Sequence, residues 1–213
     1  YPFEISILIG IVDHVLALLP FEPPYMERAG LACDFVGHPV VAEPLAEPTD
    51  ASAFRHAHGL GAAPVVLALP GSRKGEVSRL SDVFGESLHK LAAKHPDMRV
   101  VIPAAAPVAA IVQQRVAQWP GDPVVLDPRG MSVESALADK RAAFAAADVA
   151  LAASGTVSLE LAANTVPMVI AYDMNNTNRR DTVTVTLQAA GTVTDFAVTL
   201  GAGVDTLTAG TAV

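Results

Sequence analysis

The sequence predicts an α/β protein built on a doubly wound parallel sheet. Two observations carry that expectation. Between residues 64 and 171, short apolar runs rich in Val, Leu, Ile and Ala alternate with stretches of helical periodicity. Strands that alternate with helices in this way join in parallel, with helices on both faces of the sheet. In addition, two of the runs end in glycine-containing turns, Pro70-Gly71-Ser72-Arg73 and Ala153-Ser154-Gly155-Thr156, each followed by a helical pattern. Ligands of parallel sheets bind beyond the carboxyl ends of the strands, which is where both turns belong.

The bulk properties narrow the function. The chain has 213 residues, 51% hydrophobic, and a net charge of -8. That length gives one large domain or one and a half small ones, with a sizeable core. The acidic balance, without a Lys/Arg cluster, argues against a nucleic-acid surface. The single cysteine, Cys33, excludes an internal disulfide and suits a reducing compartment; it reads as a small core residue rather than a nucleophile. The apolar residues 5–12 are too short to span a bilayer and have no basic segment before them, so neither a membrane helix nor a signal peptide is expected. The chain starts at Tyr1, and is expected to begin inside a larger protein.

Taken in order, residues 12–19 read as a buried strand that stops at Pro20. Residues 21–28 form a short helix, with Pro23 and Pro24 near its start, where proline is tolerated, and Gly30 after its end. Residues 33–36 give a second strand before Gly37-His38-Pro39. So small a βαβ piece cannot cover both faces of a sheet by itself. Residues 39–63, rich in Pro, Ala, Glu and Asp, read as a linker with a short helix or turn around 54–58. His38, His56 and His58 lack partners at zinc-site spacing and read as loop or surface histidines.

The regular part follows. Strands are expected at 65–69, 99–102, 124–126, 148–152 and 166–171, with helices at 76–94, 107–118, 132–146 and 157–163. Val77, Leu80, Phe84, Leu88 and Leu91 recur at helical spacing, which makes the first helix amphipathic. His95-Pro96-Asp97 ends it. Beyond Asn175 the pattern changes to period two, at 181–187 and again at 191–200, which reads as a β-hairpin with Gly191 near its turn. Its edges lack charged gatekeepers, so it reads equally as an added sheet or as an adhesive tail.

The chemistry sits in the two turns. At the first, Gly71 lets the backbone approach a ligand closely. Arg73 can fork onto phosphate oxygens, and the helix that opens there presents unpaired N–H groups and the positive end of its dipole. A phosphate or pyrophosphate is the natural occupant. The same residues also fit an ordinary βα loop with a solvated Arg, because neither the Gly-x-x-x-x-Gly-Lys-Ser/Thr nor the Gly-x-Gly-x-x-Gly spacing is present. At the second turn, Ser154 or Thr156 can cap the next helix and donate to a phosphate. Glu160, one turn into that helix, can accept from two ribose hydroxyls or simply complement the helix dipole.

Several segments occur in a particular order: Leu19-Pro20-Phe21-Glu22, Phe35-Val36-Gly37-His38-Pro39-Val40, Leu69-Pro70-Gly71-Ser72-Arg73-Lys74-Gly75-Glu76, Ala153-Ser154-Gly155-Thr156-Val157-Ser158-Leu159-Glu160 and Val166-Pro167-Met168-Val169. From about Val12 to Met174 the chain therefore resembles lipid-A-disaccharide synthase, a glycosyltransferase family of the two-domain GT-B fold. The resemblance implies transfer of 2,3-diacylglucosamine from UDP to the 6-hydroxyl of 2,3-diacylglucosamine 1-phosphate. The products are the lipid A disaccharide 1-phosphate and UDP.

It also implies roles for residues. Gly71, Ser72, Arg73 and Glu76 would stand on the pyrophosphate and donor side, Ser154, Gly155 and Thr156 at the phosphates, Glu160 at the ribose, and His38 at a domain junction. Charge on the departing UDP would be stabilised by the Arg and the helix N-termini, with no metal and no cofactor beyond the UDP-sugar donor itself.

The implied organisation is a remnant of the acceptor domain at 1–42, a linker at 43–62, a Rossmann-like UDP-sugar domain at 63–174 and an atypical tail at 175–213. The family's N-terminal half, with its acceptor loop and general base, has a counterpart here only over about residues 11–40. No general base is therefore assigned, and the chain alone is expected to be inactive. The implied location is cytoplasmic, peripheral on the inner membrane through the lipid substrates. The other readings are a different UDP-N-acetylglucosamine enzyme of the same fold, against which Val36-Gly37-His38-Pro39 argues, and a non-catalytic nucleotide-binding module.

Overall fold

The computed structural model describes residues 10–171. The hairpin expected beyond residue 175 lies outside them. The chain divides into two compact units, Tyr1–Pro44 and Leu45–Val213.

In the first unit two short strands, β1 (His14–Ala17) and β2 (Ala32–Phe35), pair in parallel from His14↔Ala32 to Ala17↔Phe35. The helix α1 (Pro23–Arg28) makes the crossover between them. Pro23 stands at its start, where a missing N–H costs nothing. Glu22 holds the turn before it: its Oε2 accepts from the amides of Leu18 (3.1 Å) and Leu19 (2.8 Å). The expectation of a buried strand at 12–19 is corrected. Ala17 is buried, but Leu16 is 63% exposed and Phe35 52%. Among the described residues of this unit, one six-residue α-helix accompanies a two-stranded sheet, which is too little to cover it. Cys33 is half-buried, and desolvation pushes its thiol above the ordinary value. His38 Nδ1 accepts from the Val40 amide and so caps the short 3-10 turn Pro39–Ala42.

The second unit is the doubly wound sheet. It opens with α2 (Pro48–Ala57), in the stretch expected to be largely linker. Glu47 precedes this helix and Asp50 Oδ2 accepts from the Glu47 amide at 2.9 Å, so Pro, Asp and Ala here serve as helix-start residues rather than linker residues. Then follow β3 (Val65–Leu69), α3 (Lys74–Ala92), β4 (Arg99–Pro103), α4 (Ala109–Val116), β5 (Val124–Leu126), α5 (Val133–Ala145), β6 (Val149–Ala153), α6 (Val157–Ala163) and β7 (Met168–Ala171). The strand order is β5-β4-β3-β6-β7, with every pairing parallel.

Period-two alternation sends side chains to opposite faces. Val66, Ala68, Val100, Ile102, Leu151 and Val169 join Phe84 and Leu88 of α3 and Val112 of α4 in one apolar cluster. Val65, Leu67, Val101, Ala150, Ala152 and Met168 join Phe54 of α2, Phe144 of α5 and Leu161 of α6 in the other. All five residues of β3 are buried, as the central strand of a sheet covered on both faces requires. The chain runs from β3 through β4 to β5 on one side, then crosses back to lay β6 and β7 on the other. The strand order therefore reverses between β3 and β6, and the crevice of such a sheet opens at that point.

Candidate functional site

The turns after β3 and β6 face each other across that crevice. A cavity of about 650 Å³ lies there, and Gly71, Ser72, Arg73, Glu76, Ser154, Gly155, Thr156 and Glu160 all line it. Its size is within the usual range for a small-molecule site. Two turns more than eighty residues apart in sequence thus meet in one place because β3 and β6 are neighbours, with Val66 opposite Val149.

Each turn is built differently. After β3 the chain turns at Gly71, whose φ of +122° is one that residues with a side chain rarely adopt. A Cβ there would stand 2.6 Å from Glu76 Cβ and 2.7 Å from its Oε2. The glutamate fills the space that the glycine leaves. Its Oε2 accepts from the amides of Ser72 (3.1 Å) and Arg73 (3.3 Å), and its Oε1 from Arg73 Nη1 at 2.8 Å. Burial pushes the Glu76 carboxyl up, but the Arg73 guanidinium and the two amides outweigh it, and the group sits below its ordinary value. Glu76 therefore holds the loop and tethers Arg73. The Arg73 side chain, 81% exposed, stays in reach of the cavity.

After β6, the Ser154 amide donates to Ala171 O at 2.8 Å and extends the ladder with β7. Thr156 stands at the N-cap of α6 without a side-chain cap bond, and Ser158 Oγ donates to Gly155 O at 2.7 Å. The expected cap by Ser154 or Thr156 is thus not the arrangement formed. No atom lies within 4 Å of where a Cβ on Gly155 would stand, so the backbone of this turn is open to the cavity.

Glu160 does more than complement the helix dipole. Lys140 Nζ, from α5, donates to its Oε2. Sequence reasoning missed Lys140, which lies twenty residues away on another helix and carries no motif; its place one turn before Phe144 was the available signal. It also missed the far wall. There Asp127 accepts from Arg129 Nη2 at 2.6 Å and from the Arg129 amide at 3.0 Å. Those bonds hold Asp127 down to about 2. Met131 and Leu137 add apolar surface to that side, and His58, tilted against Phe54 at 4.4 Å between ring centroids, reaches the lining as well. Among the described residues no group of three or more His, Cys, Asp or Glu is placed to hold a metal ion.

The arrangement can take an anion beside Arg73 and the open Gly155 turn, with a polar group beside Glu160 and an apolar group toward Met131 and Leu137. The family described as lipid-A-disaccharide synthetase matches residues 4–179. The chain belongs to that family. It is 67% identical over 165 residues to the lipid-A-disaccharide synthase of Ruegeria pomeroyi, an alignment covering 78% of this chain and 41% of that protein. It is 51% identical over 162 residues to the enzyme of the same name from Rhodospirillum centenum, covering 76% and 38%. The chain thus spans about two-fifths of the length of these curated relatives of the lipid-A-disaccharide synthase family.

Solved structures agree on the fold. UDP-GlcNAc 2-epimerase from Neisseria meningitidis, bound to UDP-GlcNAc, superimposes with a TM-score of 0.59 at 16% identity, over 79% of this chain and 46% of that one. ADP-heptose heptosyltransferase II of Escherichia coli gives 0.51 at 16% identity, over 63% and 40%. The GT-B class implied by the sequence is the class of these neighbours. Among the described residues no helix is long and apolar enough to cross a membrane.

Proposed function

We propose that this chain is the nucleotide-sugar-binding part of a lipid-A-disaccharide synthase. The whole enzyme would transfer 2,3-diacylglucosamine from UDP to the 6-hydroxyl of 2,3-diacylglucosamine 1-phosphate. One observation carries the reading: all eight residues assigned from the two sequence motifs line a single cavity at the point where the strand order reverses.

The reaction forms a bond between the acceptor 6-hydroxyl oxygen and the donor's anomeric carbon, breaks the bond from that carbon to the β-phosphate oxygen, and releases the hydroxyl proton to a base that is assigned to no residue of this chain. The electron pair leaves with UDP. Arg73, with the Ser72 and Gly155 backbone, would meet the charge that develops on the diphosphate, which is where preorganised donors contribute most. Glu160 would accept from the ribose hydroxyls. The lipid part of both substrates would draw the enzyme to the inner membrane as a peripheral protein. Residues 1–42 would belong to the acceptor domain, residues 63–174 to the donor domain and residues 175–213 to a separate tail.

Calorimetric titration of UDP tests the reading. The chain is expected to bind UDP, and Arg73→Ala and Glu160→Ala each to weaken that binding at least about tenfold, the loss of one hydrogen bond to a charged group. Unchanged affinity in both variants would remove UDP from the cavity. The chain by itself is expected to form no disaccharide from the two lipid substrates.

A further inference from the structure

Lys140 has no part in the motifs, yet it stands at the carboxylate on which the ribose assignment depends. Its Nζ donates to Glu160 Oε2 and lies 5.4 Å from the centroid of the Phe144 ring. Phe144 is 1% exposed, and Lys140 and Phe144 sit one turn apart on α5, so side chains at these positions share a face. The ammonium is thus fixed from two sides: a buried ring of its own helix and a carboxylate from α6. Both Lys140 and Glu160 line the cavity and are about two-thirds buried.

The stoichiometry of donors and acceptors leaves Glu160 with work to do. A carboxylate offers about four lone-pair sites on two oxygens. A lysine bond to Oε2 fixes the rotation of the group and leaves Oε1 for a ligand. A carboxylate already held in one orientation loses little rotational freedom when it accepts from two adjacent hydroxyls, whereas a freely turning one must first be immobilised to meet both.

We infer that Lys140 is a positioning residue that clamps Glu160 so that the cavity selects a nucleoside diphosphate with an intact 2′,3′-diol over its 2′-deoxy counterpart. The inference rests on the nucleotide reading of the cavity.

The test is paired titration of UDP and 2′-deoxy-UDP into the chain and into Lys140→Met and Lys140→Arg. Met keeps the stem over Phe144 and removes the charge. The parent chain is expected to prefer UDP by about tenfold or more, as the loss of a bond to a charged acceptor implies. In Lys140→Met the preference falls to within about threefold, because UDP weakens while 2′-deoxy-UDP barely changes. Lys140→Arg keeps most of the preference. A merely structural role would weaken both nucleotides alike, and that result, or an unchanged preference in Lys140→Met, overturns the inference while leaving the nucleotide reading intact. Loss of the preference in Lys140→Arg overturns the charge-based clamp. Failure of the parent chain to bind UDP overturns the nucleotide reading and this inference with it.

Discussion

Glu76 and Glu160 both sit in the first turn of a helix at the edge of one cavity, and they do different things. Glu76 turns back onto its own loop, where Gly71 makes room for it; Glu160 is met by a cation from another helix. The packing of Gly71 against Glu76 predicts that Gly71→Ala destabilises the chain by about 1–3 kcal/mol, from the strained φ and the displaced glutamate together. Urea unfolding measures it, and a change below about 0.5 kcal/mol would contradict the close contact. Asp127 supplies the pH dependence. Its carboxyl is held at about 2 in the folded chain against an ordinary 3.8. A group whose folded value is depressed stabilises the fold at pH above the ordinary value, and that contribution disappears as pH falls toward the folded one. Stability is therefore expected to drop between about pH 4 and pH 2 more steeply in the parent chain than in Asp127→Asn. Equal slopes in denaturant unfolding across that range would show that the Arg129 bonds do not hold Asp127. The Glu76 contact has a sequence signal, because a Glu three residues after a helix N-cap reaches back to the N-cap amide; the room that Gly71 makes for it and the Asp127–Arg129 bonds have none.

At the scale of elements, the alternation from β3 to β7 was legible because a strand covered on both faces must be apolar throughout and its neighbours in the chain must be helices of one apolar stripe. Strand limits agree to within a residue or two. The helix α2 was mostly hidden. Proline with Asp, Glu and Ala is the composition of a linker and equally of a helix start, and the decision is made by Phe54, buried at 5% exposure against the sheet. Arg55 of the same helix reinforces that docking. Its Nη2 donates to Ala146 O at 2.7 Å and to Asp148 Oδ2 at 3.1 Å, and its Nη1 to Ala63 O at 2.9 Å. Asp148 Oδ2 in turn accepts from the Val65 amide at 2.8 Å. One guanidinium thus ties α2 to the entry of both β3 and β6. Arg55→Met is expected to cost about 2–4 kcal/mol, since it removes the donor to the carbonyls of Gly61, Ala63 and Ala146 and leaves Asp148 with the Val65 amide but without its cation. Thermal or urea unfolding checks this; a shift of a few tenths of a kcal/mol, as for an exposed ion pair, would show that water replaces the arginine. The strand at 12–19 is the opposite case. Its apolar residues read as buried, but burial also needs a covering layer, and sequence pattern alone does not say whether one exists.

For the whole molecule, the division at Pro44 has a direct consequence for binding. Every residue lining the cavity belongs to the second unit. A chain beginning at Leu45 is therefore expected to fold and to bind UDP within about twofold of the parent; a loss of tenfold or more would show that the first unit contributes to the site. Within the second unit, β3 is the first strand made and waits longest for a neighbour. It pairs with β4, some thirty residues onward, and with β6, more than eighty residues onward, as Val66↔Val149 shows. A parallel neighbour cannot arrive through a tight turn and must wait for its whole crossover. During synthesis this fully buried strand therefore emerges with one edge unclaimed until residues 149–152 follow it. Such topologies fold slowly because distant loops must close before their contacts reward them. The ligand crevice, bounded by the two neighbouring strands farthest apart in sequence, is thus completed only once β6 has been made, so a folding intermediate holding β3, β4 and β5 would carry the anion turn at Arg73 without its opposite wall.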